Sequence, residues 1–244
     1  MNKIFFTFII TLIISQYIYS QNNVKHDSTM ILCSVGYGIS SFGQVNDYYN
    51  NIITQYKEEG IPIKKQYGFS RTAYLNLQLL YSPVLPPMWF GVSIGYSFSP
   101  AYANYKDFAG ILRVNGKITC LDLSITARMK MAEIKDFPIY FSIRPGISHY
   151  ILDITNSAEF IKYPQSNFSD KAKLTLWAPF IGVTFGTTIH FSHFILELDI
   201  GYQTMVIGNH DITLQSSSGT ITEIPLGNCY QYGLLTFISI GYTL

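Results

Sequence analysis

The amino-acid sequence predicts an all-β protein: an eight-stranded antiparallel transmembrane β-barrel with a short helix in its first external loop. Three observations predict it. The 244 residues are 48% hydrophobic but only 13% charged, against about 25% charged in soluble domains. Past Thr29 the apolar residues recur with period two in eight segments, the repeat of strands whose two faces meet different surroundings. The face opposite the apolar one is glycine, serine and threonine, small enough for a narrow lumen and too neutral to face water. Sixteen basic and fifteen acidic residues give a net charge of +1, with no basic stripe for nucleic acid.

Residues 1–20 read as an export signal and 21–244 as the barrel. Lys3 precedes an apolar run from Ile4 to Ile14, and Ser20-Gln21 suits cleavage. The run is shorter than the roughly 20 residues of a spanning helix.

The first strand segment, 29–43, sets Ile31, Cys33, Val35, Tyr37 and Ile39 against Leu32, Ser34, Gly36, Gly38 and Ser40. A helix signal follows: Val45, Tyr48, Tyr49, Ile52, Ile53 and Tyr56 share one helical stripe, with Asn46-Asp47 to start it and Gly60 and Pro62 to stop it. This helix either touches lipid or caps the mouth, or it packs only its own loop. The second segment, 69–81, alternates Ala73, Leu75, Leu77 and Leu79 with Thr72, Tyr74, Asn76 and Gln78; the third alternates Phe90, Val92, Ile94 and Tyr96 with glycine and serine. Leu121 to Met129, 139–152, 174–189, Leu196 to Tyr202 and Ile238 to Leu244 continue the pattern. Connections 82–87, 132–137 and 190–193 are short; 44–68, 100–116, 153–173 and 207–228 are long. Short periplasmic turns and long external loops are expected of outer-membrane barrels, which puts both termini in the periplasm. Within the last long connection, 211–215 and 220–224 flank a four-residue turn and predict an external hairpin.

Across its mature length this pattern resembles the small outer-membrane β-barrels of OmpA/OmpX and OmpW type and the "outer membrane protein beta-barrel" proteins of Bacteroidetes. The closing run from Gly233 through Phe237 and Tyr242 to Leu244 is similar to the C-terminal signal read by the barrel-assembly machinery, although it ends in leucine rather than an aromatic residue. The resemblance implies outer-membrane lipid and lipopolysaccharide as surroundings. It leaves function open, because the fold hosts adhesins, conduits, structural proteins and some lipid enzymes.

Six charged residues have the inward parity: Asp122, Arg128, Lys130, Arg144, Glu197 and Asp199. Three of each sign favour a salt-bridged, closed interior over a single-sign pore constriction. Glu197 and Asp199 are expected to meet Arg128 and Arg144 in the lower lumen. Pro145 and Pro179 fall inside the fifth and sixth segments with lipid-facing parity; without N–H donors they predict a weak seam between those two strands. His190, Ser192 and His193, near Glu197, superficially resemble the His-x-Ser arrangement of barrel lipid-A deacylases. They fall in a periplasmic turn, where such residues are commonplace. Cys33, Cys120 and Cys229 read as unpaired thiols, and no spacing suggests a metal site or cofactor. The sequence therefore predicts a non-enzymatic surface protein whose loops interact, adhere or stabilise the envelope. The alternative is a conduit for a small hydrophobic solute leaving at the fifth and sixth strands, and a lipid-modifying enzyme comes last. The partners expected are a hydrophobic small molecule or a surface protein, and no nucleic acid.

Overall fold

The computed structural model describes residues 28–82, 88–135, 137–216 and 218–244. The export signal and most of the first short turn lie outside them. In chain order the elements are β1 (Ser28–Ser41), α1 (Gln44–Glu58), β2 (Lys64–Tyr67), β3 (Arg71–Ser82), β4 (Met88–Lys106), β5 (Gly110–Ile134), β6 (Phe137–Phe160), a 3-10 turn at Pro164–Ser166, β7 (Phe168–Phe191), β8 (Phe194–Gln215) and β9 (Ile221–Thr243). Every pairing is antiparallel. The order β4-β3-β1-β9-β8-β7-β6-β5, with β5 paired back to β4, closes a ring of eight, and β2 is a short outlier on β4.

The alternation seen in the sequence becomes inside and outside. On β1, Leu32, Ser34, Gly36, Gly38 and Ser40 are buried, while Val35, Tyr37 and Ile39 are exposed. The outward belt carries Leu75, Leu77, Val92, Ile94, Leu123, Ile125, Phe185, Ile200, Ile238 and Ile240. Bare apolar surface on this scale is tolerated only against hydrocarbon. Trp177, Tyr96, Tyr202, Tyr230 and Tyr232 lie towards its outer rim, and Phe137, Phe191, Phe194 and Tyr242 towards its periplasmic rim, the interfacial positions where aromatic rings are favoured.

Three of the four connections read as long loops are mostly strand. Pairing continues from Pro100↔Lys117 to Lys106↔Ile111, from Asp153↔Lys173 to Ala158↔Phe168, and from Asp211↔Pro225 to Gln215↔Ile221. A bilayer needs about 9–11 residues per strand, yet β5, β6 and β7 have 25, 24 and 24. Their outer halves stand in water, and there the chemistry of the two faces reverses while the parity does not. On β5 the inward Asp122, Thr126 and Arg128 give way to inward Leu112, Val114 and Ile118; outward Leu121 to Met129 give way to Arg113, Asn115 and Lys117. On β6 the inward row turns apolar from Tyr150, and on β7 from Phe180. A small water-facing barrel with an apolar core therefore sits on a membrane barrel with a polar core.

Strands β1 and β3 stop at Ser41 and Arg71, leaving part of the upper wall missing. Segment 42–70 fills that space. Phe42, Val45, Tyr49, Ile53, Ile63 and Phe69 are buried against the inner faces of β4 to β8, and the Tyr49 hydroxyl donates to the Val114 carbonyl at 3.2 Å. The predicted helix thus caps the mouth. It starts two residues earlier than the Asn46-Asp47 signal, behind Gly43 at φ +47, and ends before Gly60 at φ +84, a backbone region that favours glycine.

Candidate functional site

Two places converge polar chemistry: the mid-lumen charge layer and the external mouth. In the lumen, Arg128 on β5 and Glu197 on β8 form an ion pair at 2.5 Å with both side chains almost fully buried. The Arg128 guanidinium also lies 4.1 Å from the centre of the Tyr140 ring. Asp199 lies two residues along β8 with the same inward parity, and a Cβ on Gly186 would come within 1.7 Å of its Oδ1. Only glycine leaves room for that carboxylate, so Gly186 is a packing requirement and not a mere flexible link.

The remaining charges are held differently from the sequence expectation. The contacts of Arg144 run to Asn76 and Phe237. With the Asn76 amide nitrogen donating to the Ile94 carbonyl (3.0 Å), its oxygen accepts from Arg144 Nη1 at 3.3 Å, and the guanidinium sits 5.3 Å from the Phe237 ring centre. Asp122 accepts from the Tyr74 hydroxyl at 2.8 Å and from Gln203 Nε2 at 3.3 Å. Lys130 pairs with Glu133 at the periplasmic rim rather than deeper inside. Tyr74, Asn76 and Gln203 were invisible as site residues in the sequence. Their one signal was inward parity combined with a side chain larger than the glycines and serines around them.

Beside this layer, the cavity between Ser40, Thr72, Tyr74, Ser97, Gln203 and Gln231 is about 10 Å³, room for one water at most. Below lies a periplasmic vestibule of about 270 Å³ edged by Trp89, Arg128, Tyr140, His190, Ser192 and His193. There His190 Nε2 is 3.4 Å from the Thr188 hydroxyl, and the His193 ring lies 5.7 Å from that of Tyr242. Glu197, the acid that would complete a triad, is committed to Arg128.

Above the charge layer the lumen is apolar, and α1 divides its stripe between two jobs. Val45, Tyr49 and Ile53 are buried in the plug, while Tyr48, Ile52 and Tyr56 face a cavity of about 670 Å³ between the helix and the inner walls of β6 to β9. Asn156 Nδ2 donates to the Tyr56 hydroxyl at 2.5 Å. Burial raises the Tyr49 pKa, and burial together with the Asp170 carboxylate raises that of Tyr48.

The proline seam is not where the sequence put it. The register pairs Pro145 with Ile181 and Ile147 with Pro179, so the two prolines are staggered by one step, and the β6–β7 ladder runs unbroken past both. The breaks lie on the far sides. The β5–β6 ladder skips from Ser124↔Gly146 to Ala127↔Ile143, and the β7–β8 ladder stops at Lys173↔Thr213 and resumes at Phe180↔Met205. Alternate residues of a strand point their N–H groups to opposite neighbours. Both prolines occupy non-hydrogen-bonded positions of their shared ladder, so the missing donors face β5 and β8. The β7–β8 interval, residues 174–179 facing 206–212, is the longest interruption among the described ring pairings. It lies at the height of exposed Trp177 and Val206.

No protein-family model matches the chain, and no curated protein matches its sequence. Solved structures are similar in fold. Neisserial surface protein A is 12% identical, with 88% of this chain and 98% of that one covered and a TM-score of 0.42. The outer membrane protein OprG from Pseudomonas aeruginosa is 12% identical, with 91% and 98% covered and a TM-score of 0.45. Ail, the attachment invasion locus protein of Yersinia pestis, is 9% identical, with 91% and 100% covered and a TM-score of 0.38. Eight antiparallel strands closed into a ring, with an apolar belt on the outer face and small and polar side chains within, give this chain the fold of a small outer-membrane β-barrel protein.

Proposed function

We propose that the protein is a closed, non-enzymatic surface barrel whose working part is the extracellular extension. That extension meets other proteins, neighbouring surfaces or lipopolysaccharide. The observation that carries this reading is the combination of a lumen occupied by paired and buried side chains with outer strand halves far longer than a bilayer needs. A pore would have kept its lumen open, and a purely structural anchor would have no use for a second, water-facing core. In biogenesis β9 serves as the signal for the barrel-assembly machinery. The test is planar-bilayer recording of folded protein, with binding of fluorescent lipopolysaccharide micelles measured in parallel. The expected outcome is no steady conductance and retained surface binding; a large, stable wild-type conductance overturns the reading.

One observation favours a second reading, a conduit for an apolar solute. The β7–β8 interruption sits at the outer rim of the belt beside inward Leu174, Leu176, Ala178, Met205 and Ile207. An apolar molecule leaving sideways there would meet no run of ladder hydrogen bonds to break. Trp177→Cys with Val206→Cys, both outward and exposed, joined by a short bis-maleimide, would lock the interval. Transfer of an apolar probe that survives the lock removes this reading.

A further inference from the structure

The cavity beside α1 has a chemistry of its own. Its aromatic side is Tyr48, Tyr56 and Phe168, and its floor is aliphatic, with Ile154, Ala172 and Leu214 among its members. Two carboxylates, Glu59 and Asp170, complete the lining together with side-chain amides, and no lysine, arginine or histidine lines it among the described residues. Glu59 is the C-cap of α1, so the end of the helix sets one of these carboxylates at the cavity edge. Burial is the main cause of the raised Tyr48 and Tyr56 pKa values, and Asp170 adds to both. At about 670 Å³ the space falls within the range of small-molecule sites.

A negative, ring-lined pocket with an aliphatic floor selects a particular ligand. Anions are repelled by two carboxylates. A bare metal ion would leave the rings and the floor unused. A compact polar cation such as ammonium would keep its water. A bulky, weakly hydrated cation fits all three features: its charge faces Asp170 and Glu59, its N-alkyl groups lie on the tyrosine faces, and its apolar body covers the floor. We propose that this external cavity binds a small organic cation with an apolar body, of the arylalkylammonium class, taken from the medium outside the cell. The assignment stands whether or not the lumen conducts, and its test reads binding instead of conductance.

The test is isothermal titration of the full, folded barrel in a maltoside micelle with three probes of similar size: benzyltrimethylammonium, benzyl alcohol and benzenesulfonate. Saturable binding of benzyltrimethylammonium is expected, with benzyl alcohol about tenfold weaker and no binding of benzenesulfonate. Asp170→Asn and Glu59→Gln should each weaken the ammonium probe severalfold, and Ile224→Trp, which fills the cavity from its rim, should abolish binding. Asp153→Asn, an outward carboxylate on β6, should change nothing. Each variant is first checked for heat-modifiable gel mobility, so loss of binding is not confused with loss of fold. Equal binding of all three probes, preference for the sulfonate, or wild-type affinity in folded Asp170→Asn and Ile224→Trp overturns the proposal.

Discussion

Arg128 and Glu197 are each 2% exposed, and at that burial neither charge has water to fall back on. Removing one partner of such a pair commonly costs about 3–5 kcal/mol, because the survivor stays buried and uncompensated, whereas replacing both with apolar residues of similar volume is often neutral. Arg128→Ala, which takes the cation from beside both Glu197 and Asp199, should therefore lower the urea midpoint of the folded barrel in vesicles well below wild type. Arg128→Met combined with Glu197→Leu should recover most of the loss. A second residue acts at the surface. In the β4–β5 turn Asp107 accepts from the Ala109 N–H at 2.8 Å, the Gly110 N–H at 3.1 Å and the Tyr105 hydroxyl at 3.0 Å. Those bonds, the Ala109 one foremost, hold its pKa below the ordinary aspartate value. A depressed carboxylate pKa stabilises the turn above the unfolded value and stops doing so as pH falls through the folded one. NMR titration should place this carboxyl below an ordinary aspartate, and amide protection at Ala109 and Gly110 should fade over that same acid range.

Strand β7 shows how a local rule acquires its meaning from its neighbours. Pro179 removes one donor, and where lipid excludes water nothing replaces it. The cost falls on β8 and not on β6, because the register turns residue 179 away from β6. Amide exchange should consequently be faster at residues 174–178 and 206–212 than at positions 148–154 of β6 at similar height. Pro179→Ala restores the donor and should slow exchange on the β8 side of the interval without altering the β6–β7 ladder. Unchanged exchange at 206–212 in that variant would assign the interruption to the bulge at Gly208, φ +79, instead of the proline. The terminal hairpin is the opposite case: Asp211↔Pro225 to Gln215↔Ile221 are paired, and the turn closes with Ser216 N–H to the Thr220 carbonyl at 2.9 Å and Gly219 at φ +85. Its strand amides should be protected, not mobile.

For the molecule as a whole, the lumen is occupied at three heights: by the Arg128–Glu197 pair, by the Tyr74–Asp122–Gln203 cluster and by the apolar plug carried by α1. Replacing residues 44–58 with a short Gly-Ser linker should expose the upper core yet leave the barrel non-conducting. Conductance should appear only when that deletion is combined with Arg128→Ala, Glu197→Ala and Tyr74→Ala. Recordings on these variants separate the levels, and steady current in the linker variant alone would show that the lower ones do not seal. The wild-type protein should fractionate with the outer membrane and change gel mobility on boiling, as a ring without free edges resists detergent until heated.

The ring, its eight members, the side each residue faces and the helix in the first loop were legible in the sequence, because period-two alternation against a glycine-serine face needs no partner to be recognised. Val35, Leu77, Ile94 and Ile125 point to lipid, as their spacing says. The hairpin at 211–224 was legible too, but the outer halves of β4 to β7 were not legible as strand. There the apolar and polar faces exchange places, so inward Leu112, Val114, Leu152 and Ile154 with outward Lys117 and Asp153 break the pattern that identifies the membrane part. The lumen was half legible: parity selected Arg128 and Glu197, but only the three-dimensional ring decided that Arg144 meets Asn76 and Phe237 while Tyr74 and Gln203 hold Asp122. Parity tells which way a side chain points and not how high it stands against the opposite wall. That height follows from the stagger of eight strands around a closed ring, a property of the pairings together that no single segment carries.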